Sequence, residues 1–330
     1  MEKYFLFTVN DNSWPEHKST GVAAINDPVA TAGQSYGLPK RQSAMCEMAG
    51  IQPNDIILFY FQGKKEIHGL YKATSEAFFD EDDLVSGGFI NSRFPIRVRF
   101  SPYIEFKRNL VMDEIWEMKD RGEFCSIQQQ RGDAVGRHAC LGLLKTDGDA
   151  LVRMFYEKNP IYRIITGHPI NNYHEPLPFE YRTSSGGTRL HYESVLQSVL
   201  IKDFVKCKHK NIFGDYDYFI PYFPTGAQKE IDLFLVKHQN NEPIWYTLIE
   251  IKPDKFDLGE IKALSNYENW IIRSLTRNNP RMVHTYALAY SFDHDIKTYV
   301  SERVKYTDRR IHLVEYLFDD DKKAVDLKEI

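Results

Sequence analysis

The chain has 330 residues, more than the ~100–200 residues of a typical compact domain, so its length favours two domains. Hydrophobic residues make up 42% and charged residues 27% of the sequence. This balance is typical of a globular chain and excludes global disorder. The formal net charge of −4 predicts no general attraction to a polyanion, so contact with nucleic acid would need a local basic groove.

The sequence predicts a cytoplasmic protein with no membrane partner. Its longest apolar runs, such as residues 56–61, are far shorter than the ~20 residues of a membrane helix. Polar residues at 10–12 follow the first apolar run too closely for a signal peptide. No Cys-x-x-Cys pair occurs, which disfavours a zinc cluster or a disulfide framework. The four cysteines are scattered: Cys46, Cys125, Cys140 and Cys207.

The first half of the chain has the pattern of short strands with few helices. Apolar runs that end at polar turns predict buried strands. Strict alternation predicts a strand with one face in solvent, and Arg97 and Arg99 would lie on that face. The predicted elements are strands at residues 4–9 and 56–61, a hairpin continuing into 67–75, an alternating strand at 93–100 and a closing helix at 147–156. The glycine-rich segment around Tyr36 reads as a loop.

Proline and glycine punctuate the middle of the chain, where no hydrophobic period persists. We therefore predict a first domain at residues 1–158, a linker at 159–187 and a second domain at 188–330. The elements predicted in the second domain are a helix at 188–204, strands at 226–236 and 244–252 joined by a turn, and a helix at 259–271. The charged tail, residues 319–330, is expected to be frayed or to form a short exposed helix.

Two carboxylates and a lysine fall on the predicted strand pair of the second domain. Asp232 lies on the first strand, and Glu250 and Lys252 share one face of the second. Folding about the turn brings Asp232 within a residue or two of the position opposite Glu250, and cross-strand neighbours lie ~5 Å apart. The two carboxylates are thus expected to be close enough to share one metal ion.

A third carboxylate, Glu193, lies on the preceding predicted helix. Glu193, Leu196 and Leu200 are spaced to share one helical face, so we expect Glu193 to point toward apolar side chains. An unpaired carboxylate there would be costly, and a cation would satisfy it. Carboxylate oxygens suit Mg²⁺ or Mn²⁺. Such an ion with a nearby lysine is what hydrolysis of a phosphodiester requires.

These residues resemble the PD-(D/E)XK nuclease superfamily, and more closely its NucS-like and restriction-endonuclease-like members. Asp232 matches the motif aspartate, and Glu250-Ile251-Lys252 matches E-x-K. The resemblance implies an αβ sandwich with a mixed sheet, catalysis by Glu193, Asp232, Glu250 and Lys252, and metal ligation by the three carboxylates. Related enzymes often carry glutamine where this chain has Ala263.

The first domain resembles the EVE domains, relatives of YTH and PUA-like modules. The likeness lies in residues 3–14, 21–25, 55–81 and 94–100. It implies an α+β architecture with a small PUA-like β-barrel that accepts a flipped, often modified, base in an aromatic pocket. Asn10 occupies the position of a polar base contact, Trp14 matches an early EVE tryptophan, and Ala23 stands where a cage tryptophan is found. Further pocket candidates are Tyr36, Tyr60 and Gln129.

The two resemblances together predict a modification-dependent DNA endonuclease of type IV-like restriction character. The first domain would flip a modified base, and the second would hydrolyse a nearby phosphodiester with Mg²⁺ or Mn²⁺. A non-catalytic reader or adaptor and an RNA-directed nuclease are the alternatives, since YTH relatives read RNA. Duplex cleavage by one nuclease site per chain would favour a homodimer. No nucleotide-triphosphate-binding or dinucleotide-binding glycine motif occurs.

Overall fold

The computed structural model describes residues 1–81, 94–127, 138–167, 175–184, 186–225 and 229–330, apart from the side chains of Ala30, Thr31 and Tyr36. The chain forms two compact units, Met1–Phe179 and Glu180–Ile330. Both are mixtures of helices and strands. Within the described residues, no helix is both long enough and apolar enough to cross a membrane. All four cysteines are free thiols.

The first unit is built from short strands and four helices in the part of the chain that is described. Its strands are β1 (Tyr4–Val9), β2 (Val22–Ile25), β3 (Ile56–Phe61), β4 (Glu66–Ala73), β5 (Phe78–Phe79), β6 (Ile96–Pro102), β7 (Ile104–Glu105), β8 (Leu110–Val111), β9 (Cys140–Leu143) and β10 (Arg163–Ile164). Its helices are α1 (Trp14–Thr20), α2 (Pro28–Met48), α3 (Met112–Asp120) and α4 (Lys145–Lys158).

The main sheet of the first unit is a curled half-barrel, with the strand order β2-β6-β4-β3-β1-β9. The predicted strands at 4–9 and 56–61 are confirmed as β1 and β3, which pair in parallel. Every residue of β3 is buried, because both faces of the sheet are covered. Alternate side chains of β3 contact an aromatic group around Trp14 on one face and a core beneath α3 and α4 on the other.

Two expectations for the first unit are wrong. The glycine-rich segment predicted as a loop lies in α2, a helix interrupted where Gly33 adopts a φ of 74°. The face of β6 that carries Arg97 is not solvated, because Arg97 is fully buried and its Nη1 lies 2.6 Å from Oδ2 of buried Asp80. A paired guanidinium can thus occupy a position that the alternation pattern assigns to solvent.

The predicted linker is not unstructured throughout. Residues 163–164 form β10, which pairs with β7 of the first unit. In the second unit, β11 (Thr183–Ser184) pairs with β12 (Arg189–Leu190). Proline and glycine therefore mark short paired segments here as well as turns.

The second unit contains one six-stranded mixed sheet with the order β13-β14-β15-β16-β17-β18. Its strands are β13 (Tyr218–Pro224), β14 (Glu230–Gln239), β15 (Glu242–Ile251), β16 (Val283–Ala289), β17 (Ile311–Asp319) and β18 (Ala324–Glu329). Its helices are α5 (Glu193–Val205), α6 (Lys210–Phe213), α7 (Leu258–Leu275) and α8 (His294–Thr307), with a short 3₁₀ helix at Pro280–Met282. The strands β15, β16 and β17 are parallel to one another, and the other pairings are antiparallel.

The charged tail is an edge strand, so the expectation of a frayed end or a short helix is wrong. β18 pairs with β17 from Val314↔Glu329 to Asp319↔Ala324. Lysine and carboxylate side chains are common on exposed edge strands, where they discourage pairing with other chains. The charge pattern therefore marks an edge rather than an unfolded end.

A buried ion cluster fastens α7 to its neighbours in the second unit. Glu268 of α7 is 2% exposed and accepts a hydrogen bond from Thr285 of β16 (Oγ1 to Oε1, 3.2 Å). Its other oxygen pairs with the guanidinium of Arg303 on α8 and lies 3.1 Å from Nη1 of Arg309. A buried carboxylate needs such partners, and the cluster holds α7 against both the sheet and α8.

Replacing Glu268 by alanine should destabilise the protein, because it leaves buried Arg303 without a carboxylate. We expect the free energy of unfolding to fall by ~3–5 kcal/mol in urea denaturation. The matched control is Glu302→Ala, an exposed glutamate on α8, for which a change within ~0.5 kcal/mol is expected. Equal losses in the two variants would contradict a stabilising role for the cluster.

Candidate functional site

The hairpin of β14 and β15 brings Asp232 and Glu250 side by side. The strands are antiparallel and pair Leu233 with Ile249, so Asp232 is the next residue along, beside Glu250. Asp232 is buried, and its Oδ2 accepts a hydrogen bond from the backbone N–H of Ile251 at 2.7 Å. The two carboxylates are cross-strand neighbours, as the sequence predicts.

Lys252 follows β15 directly and carries its ammonium group toward Glu193. Its backbone N–H donates to Leu288 of β16 at 2.9 Å, which holds the residue at the edge of the parallel strands. Its Nζ lies 3.0 Å from Oε2 of Glu193 and 3.9 Å from Oε1 of Glu260. Burial alone lowers the pKa of Lys252, but Glu193 and the neighbouring acids raise it above its ordinary value. Lys252 is therefore a fixed positive charge at neutral pH.

Glu193 differs from its predicted setting. The helix begins at Glu193 rather than near Thr188, because residues 189–190 form β12. Glu193 therefore lies in the first turn, where a negative charge is favoured by the helix dipole. Its side chain is 38% exposed and pairs with Lys252, so the expectation that it points into an apolar face is wrong.

The carboxylates of Asp232 and Glu250 are poorly compensated. Burial raises the pKa of Asp232 well above its ordinary value, and the charges of Glu250 and Glu193 raise it further. Burial also raises the pKa of Glu250, to about 8; Lys252 opposes this shift and Glu193 adds to it. Within the described chain, Oε2 of Glu250 is buried and has no hydrogen-bond partner. Such an atom is costly to bury and is suited to receiving a cation.

The sequence predicts three carboxylate ligands for a divalent metal, and the structure leaves two of them available. In the described residues, no group of three or more His, Cys, Asp or Glu side chains is placed to hold a metal ion. The ion pair with Lys252 occupies Glu193, which leaves Asp232 and Glu250 as the available pair. Mg²⁺ is commonly held by one or two carboxylates and completed by water and phosphate oxygens. Two carboxylates, one with an unpartnered oxygen, therefore fit such an ion.

Sequence analysis missed two residues beside this pair. Tyr267 of α7 has a pKa raised to about 12, first by burial and then by the charges of Glu250 and Asp232. The side-chain amide of Gln197 on α5 donates to the backbone carbonyl of Asp232. Tyr267 lies one helical turn after Ala263, on the same side of α7, so the i, i+4 spacing was the signal that could have found it. Nothing in the sequence distinguishes Gln197 from an ordinary helix residue.

In the first unit, Asn10 and Trp14 lie at the junction of β1 and α1. Oδ1 of Asn10 accepts hydrogen bonds from the backbone N–H groups of Asn12 at 3.0 Å and Ser13 at 2.9 Å, so this oxygen stabilises a turn. The Trp14 ring packs against Phe59 and Phe61, with centroids 4.7 Å and 5.2 Å away. It is half-buried and is part of an aromatic layer.

The other proposed pocket residues do not join Trp14. Tyr60 points to the opposite face of β3, where it belongs to the buried core with Leu58 and Ile67; its assignment to the base pocket is wrong. Gln129 lies outside the described residues, as does the side chain of Tyr36.

No protein-family model matches the sequence, and no curated protein matches it significantly. Among solved structures, the chain is similar in part to the YTH domain-containing protein Mmi1 in complex with RNA (16% identity, 47% of this chain, 83% of that chain, TM-score 0.29). A second is human THYN1 in complex with DNA containing 5-methylcytosine (14% identity, 46% of this chain, 97% of that chain, TM-score 0.28). A third is a repair endonuclease from Pyrococcus abyssi (15% identity, 42% of this chain, 50% of that chain, TM-score 0.25). These likenesses are too weak to indicate a function.

The raised pKa of Glu250 predicts how stability depends on pH in the absence of metal. The folded protein holds this proton to a higher pH than the unfolded chain, whose ordinary value is 4.5. Stability is therefore lost as pH rises from about 4.5 to about 8. Glu250→Gln cannot ionise, so in EDTA we expect it to gain about 5 kcal/mol over the wild type between acidic and alkaline pH.

The measurement is urea unfolding at several pH values. Glu242→Gln changes an exposed glutamate at the start of the same strand, and its difference from the wild type should not vary with pH. A pH-independent difference for Glu250→Gln as well would show that Glu250 titrates normally.

Proposed function

We propose that the second unit hydrolyses phosphodiester bonds of nucleic acid with a divalent cation, Mg²⁺ or Mn²⁺. Asp232 and Glu250 would hold the ion, and Lys252 would act beside it. The observation that supports this most is the buried, unpartnered Oε2 of Glu250 next to a second buried carboxylate. The two groups repel each other when both are ionised, and a cation held by both would remove the repulsion and the unmet hydrogen-bonding capacity.

The protein's own groups have separate tasks in this proposal. When bound, the cation would offset phosphate charge and acidify the attacking water. The Lys252 ammonium would stabilise negative charge on the phosphate or orient the water. The Tyr267 hydroxyl keeps its proton at neutral pH, because its pKa is raised to about 12, and can donate a hydrogen bond to a phosphate oxygen. The Ile251 N–H would keep Asp232 oriented.

Glu193 has two exclusive states in this proposal. It can pair with Lys252, as in the structure, or it can join the metal ligands after that ion pair opens. Both side chains are partly exposed, so water can solvate the two groups when the pair opens. Substrate phosphate competes for the Lys252 ammonium and would favour the open state. In the closed state, before the substrate arrives, Glu193 would hold Lys252 in position.

We further propose that the substrate is DNA carrying a modified base and that the first unit reads it. The support is the aromatic layer around Trp14, because aromatic rings stack on bases. A flipped base costs a few kcal/mol, which such stacking offsets. Cleavage of both duplex strands would then use a homodimer. The two alternative functions are a non-catalytic reader and an RNA-directed nuclease, and the assay below distinguishes them from a DNA nuclease.

Hydrolysis should depend on Asp232 and Lys252. With Mg²⁺ or Mn²⁺ we expect cleavage of DNA duplexes that contain modified bases, including 5-methylcytosine. Asp232→Asn and Lys252→Met should each slow it at least ~100-fold. The control variant is Lys305→Gln, an exposed lysine on α8, which should cleave at the wild-type rate.

The same cleavage assay is run on unmodified DNA and on RNA of matched sequence, each with an EDTA control. Preferential cleavage of RNA would replace the DNA assignment. Cleavage that survives in both variants, or no metal-dependent cleavage of any strand, would contradict the hydrolytic assignment and leave the reader alternative.

Metal binding has a readout that does not require activity. An excess of Mn²⁺ should raise the melting temperature of the wild type, since a ligand at 100 times its Kd adds ~2.7 kcal/mol of stability. The double variant Asp232→Asn/Glu250→Gln should lose this shift, and Glu242→Gln should keep it. Equal shifts in the wild type and the double variant would place the Mn²⁺ elsewhere.

A further inference from the structure

The first unit contains a cavity of about 440 Å³ between β4, β7 and β10. This volume lies in the range of small-molecule sites. We propose that it binds one nucleotide, the base against aromatic rings and the phosphate on a cationic rim. That the nucleotide belongs to a nucleic-acid strand rests on the proposed function, whereas the cavity's chemistry does not. Trp14 lines this cavity, whereas Asn10 and Tyr60 do not, so the cavity shares one residue with the base pocket inferred from the sequence and deepens the proposed reading role of the first unit.

Aromatic rings form two sides of the cavity. Trp14 and Tyr71 provide one side, with ring centroids 5.7 Å apart. Phe106 and Tyr162 provide the other, with centroids 6.1 Å apart. Tyr162 is 44% exposed and is braced by Tyr156 at 4.9 Å in an edge-on contact. A ring supported on one side with substantial exposed area suits stacking on a base.

Polar groups in the cavity are held in place before any ligand arrives. Oε2 of Glu66 accepts a hydrogen bond from Nδ2 of Asn109 at 2.9 Å and lies 3.2 Å from Nε2 of His68. Both Asn109 and His68 line the cavity. Fixing Nδ2 leaves Oδ1 of Asn109 as an acceptor for the edge of a base. The pairing of β10 with β7 fixes the wall that carries Tyr162.

The charge of the lining favours a phosphate. Lys18, Lys107 and Arg163 line the cavity, against a single carboxylate, Glu105. Arg163 Nε lies 3.1 Å from Oε2 of Glu105, but both side chains are more than half exposed, and such pairs contribute little. Across the described residues, Lys18 and Lys107 have no carboxylate partner. These two ammonium groups are therefore available to an anionic ligand.

The test measures binding of fluorescent single strands of about eight nucleotides, as DNA and as RNA, by anisotropy in EDTA. Tyr162→Ala should raise the Kd about fivefold or more, because base stacking contributes at least ~1 kcal/mol and 1 kcal/mol corresponds to about a fivefold change in Kd. Tyr162→Phe keeps the ring and should bind like the wild type. Lys107→Gln should reduce the slope of log Kd against log salt by about 0.7, as expected for one phosphate contact to a single strand.

Controls and competitors separate the outcomes. Tyr306→Ala removes another exposed aromatic ring and Arg121→Gln another exposed cation; both should bind like the wild type. Competition by a nucleoside monophosphate as strong as by the strand would identify free nucleotide as the ligand of the same cavity. Wild-type binding by both Tyr162→Ala and Lys107→Gln, or no binding of strand or mononucleotide, would overturn the proposal. Because EDTA prevents hydrolysis, failure of the nuclease assignment would not affect this result.

Discussion

The closeness of two carboxyl groups, buried Asp232 and half-buried Glu250, is the constraint on which the second unit depends. The register of β14 and β15 places Asp232 and Glu250 opposite each other on adjacent strands. Asp232 receives one backbone hydrogen bond, while Oε2 of Glu250 has no partner in the described part of the chain. A fold that keeps such a pair retains a local cost, and costs of this kind concentrate at functional sites.

The surrounding elements prevent this site from relaxing. The parallel pairing of β15 with β16 fixes the strand that carries Glu250, so the carboxylate cannot escape by a shift of register. The ion cluster around Glu268 holds α7, and with it Tyr267, against the sheet. Lys252 compensates the acids only in part, since its nearest partner is Glu193. The strand pairing and the ion cluster therefore stabilise the elements around the site, while Asp232 and Glu250 remain available to a cation.

Sequence reasoning succeeded where local pattern decides structure. Apolar runs specified β1, β3 and β15, and period-two alternation with a short turn set Asp232 against Glu250. It failed where a distant partner decides. Arg97 is buried because Asp80 meets it, and the tail is a strand because β17 offers an edge. Likewise, Tyr60 faces the core because β3 is covered on both sides. None of these partners is visible in a local window.

The most direct test of the central claim is a crystal structure of the protein soaked with Mn²⁺, using anomalous scattering to locate the metal. We expect one strong peak within coordination distance of a carboxylate oxygen of Asp232 and of Glu250, close to the ~2.0–2.1 Å that Mg²⁺ makes with oxygen ligands. We also expect that the oxygen of Glu250 that lacks a partner becomes a ligand. A strong peak elsewhere with this pair left bare, or no peak at saturating Mn²⁺, would contradict the account.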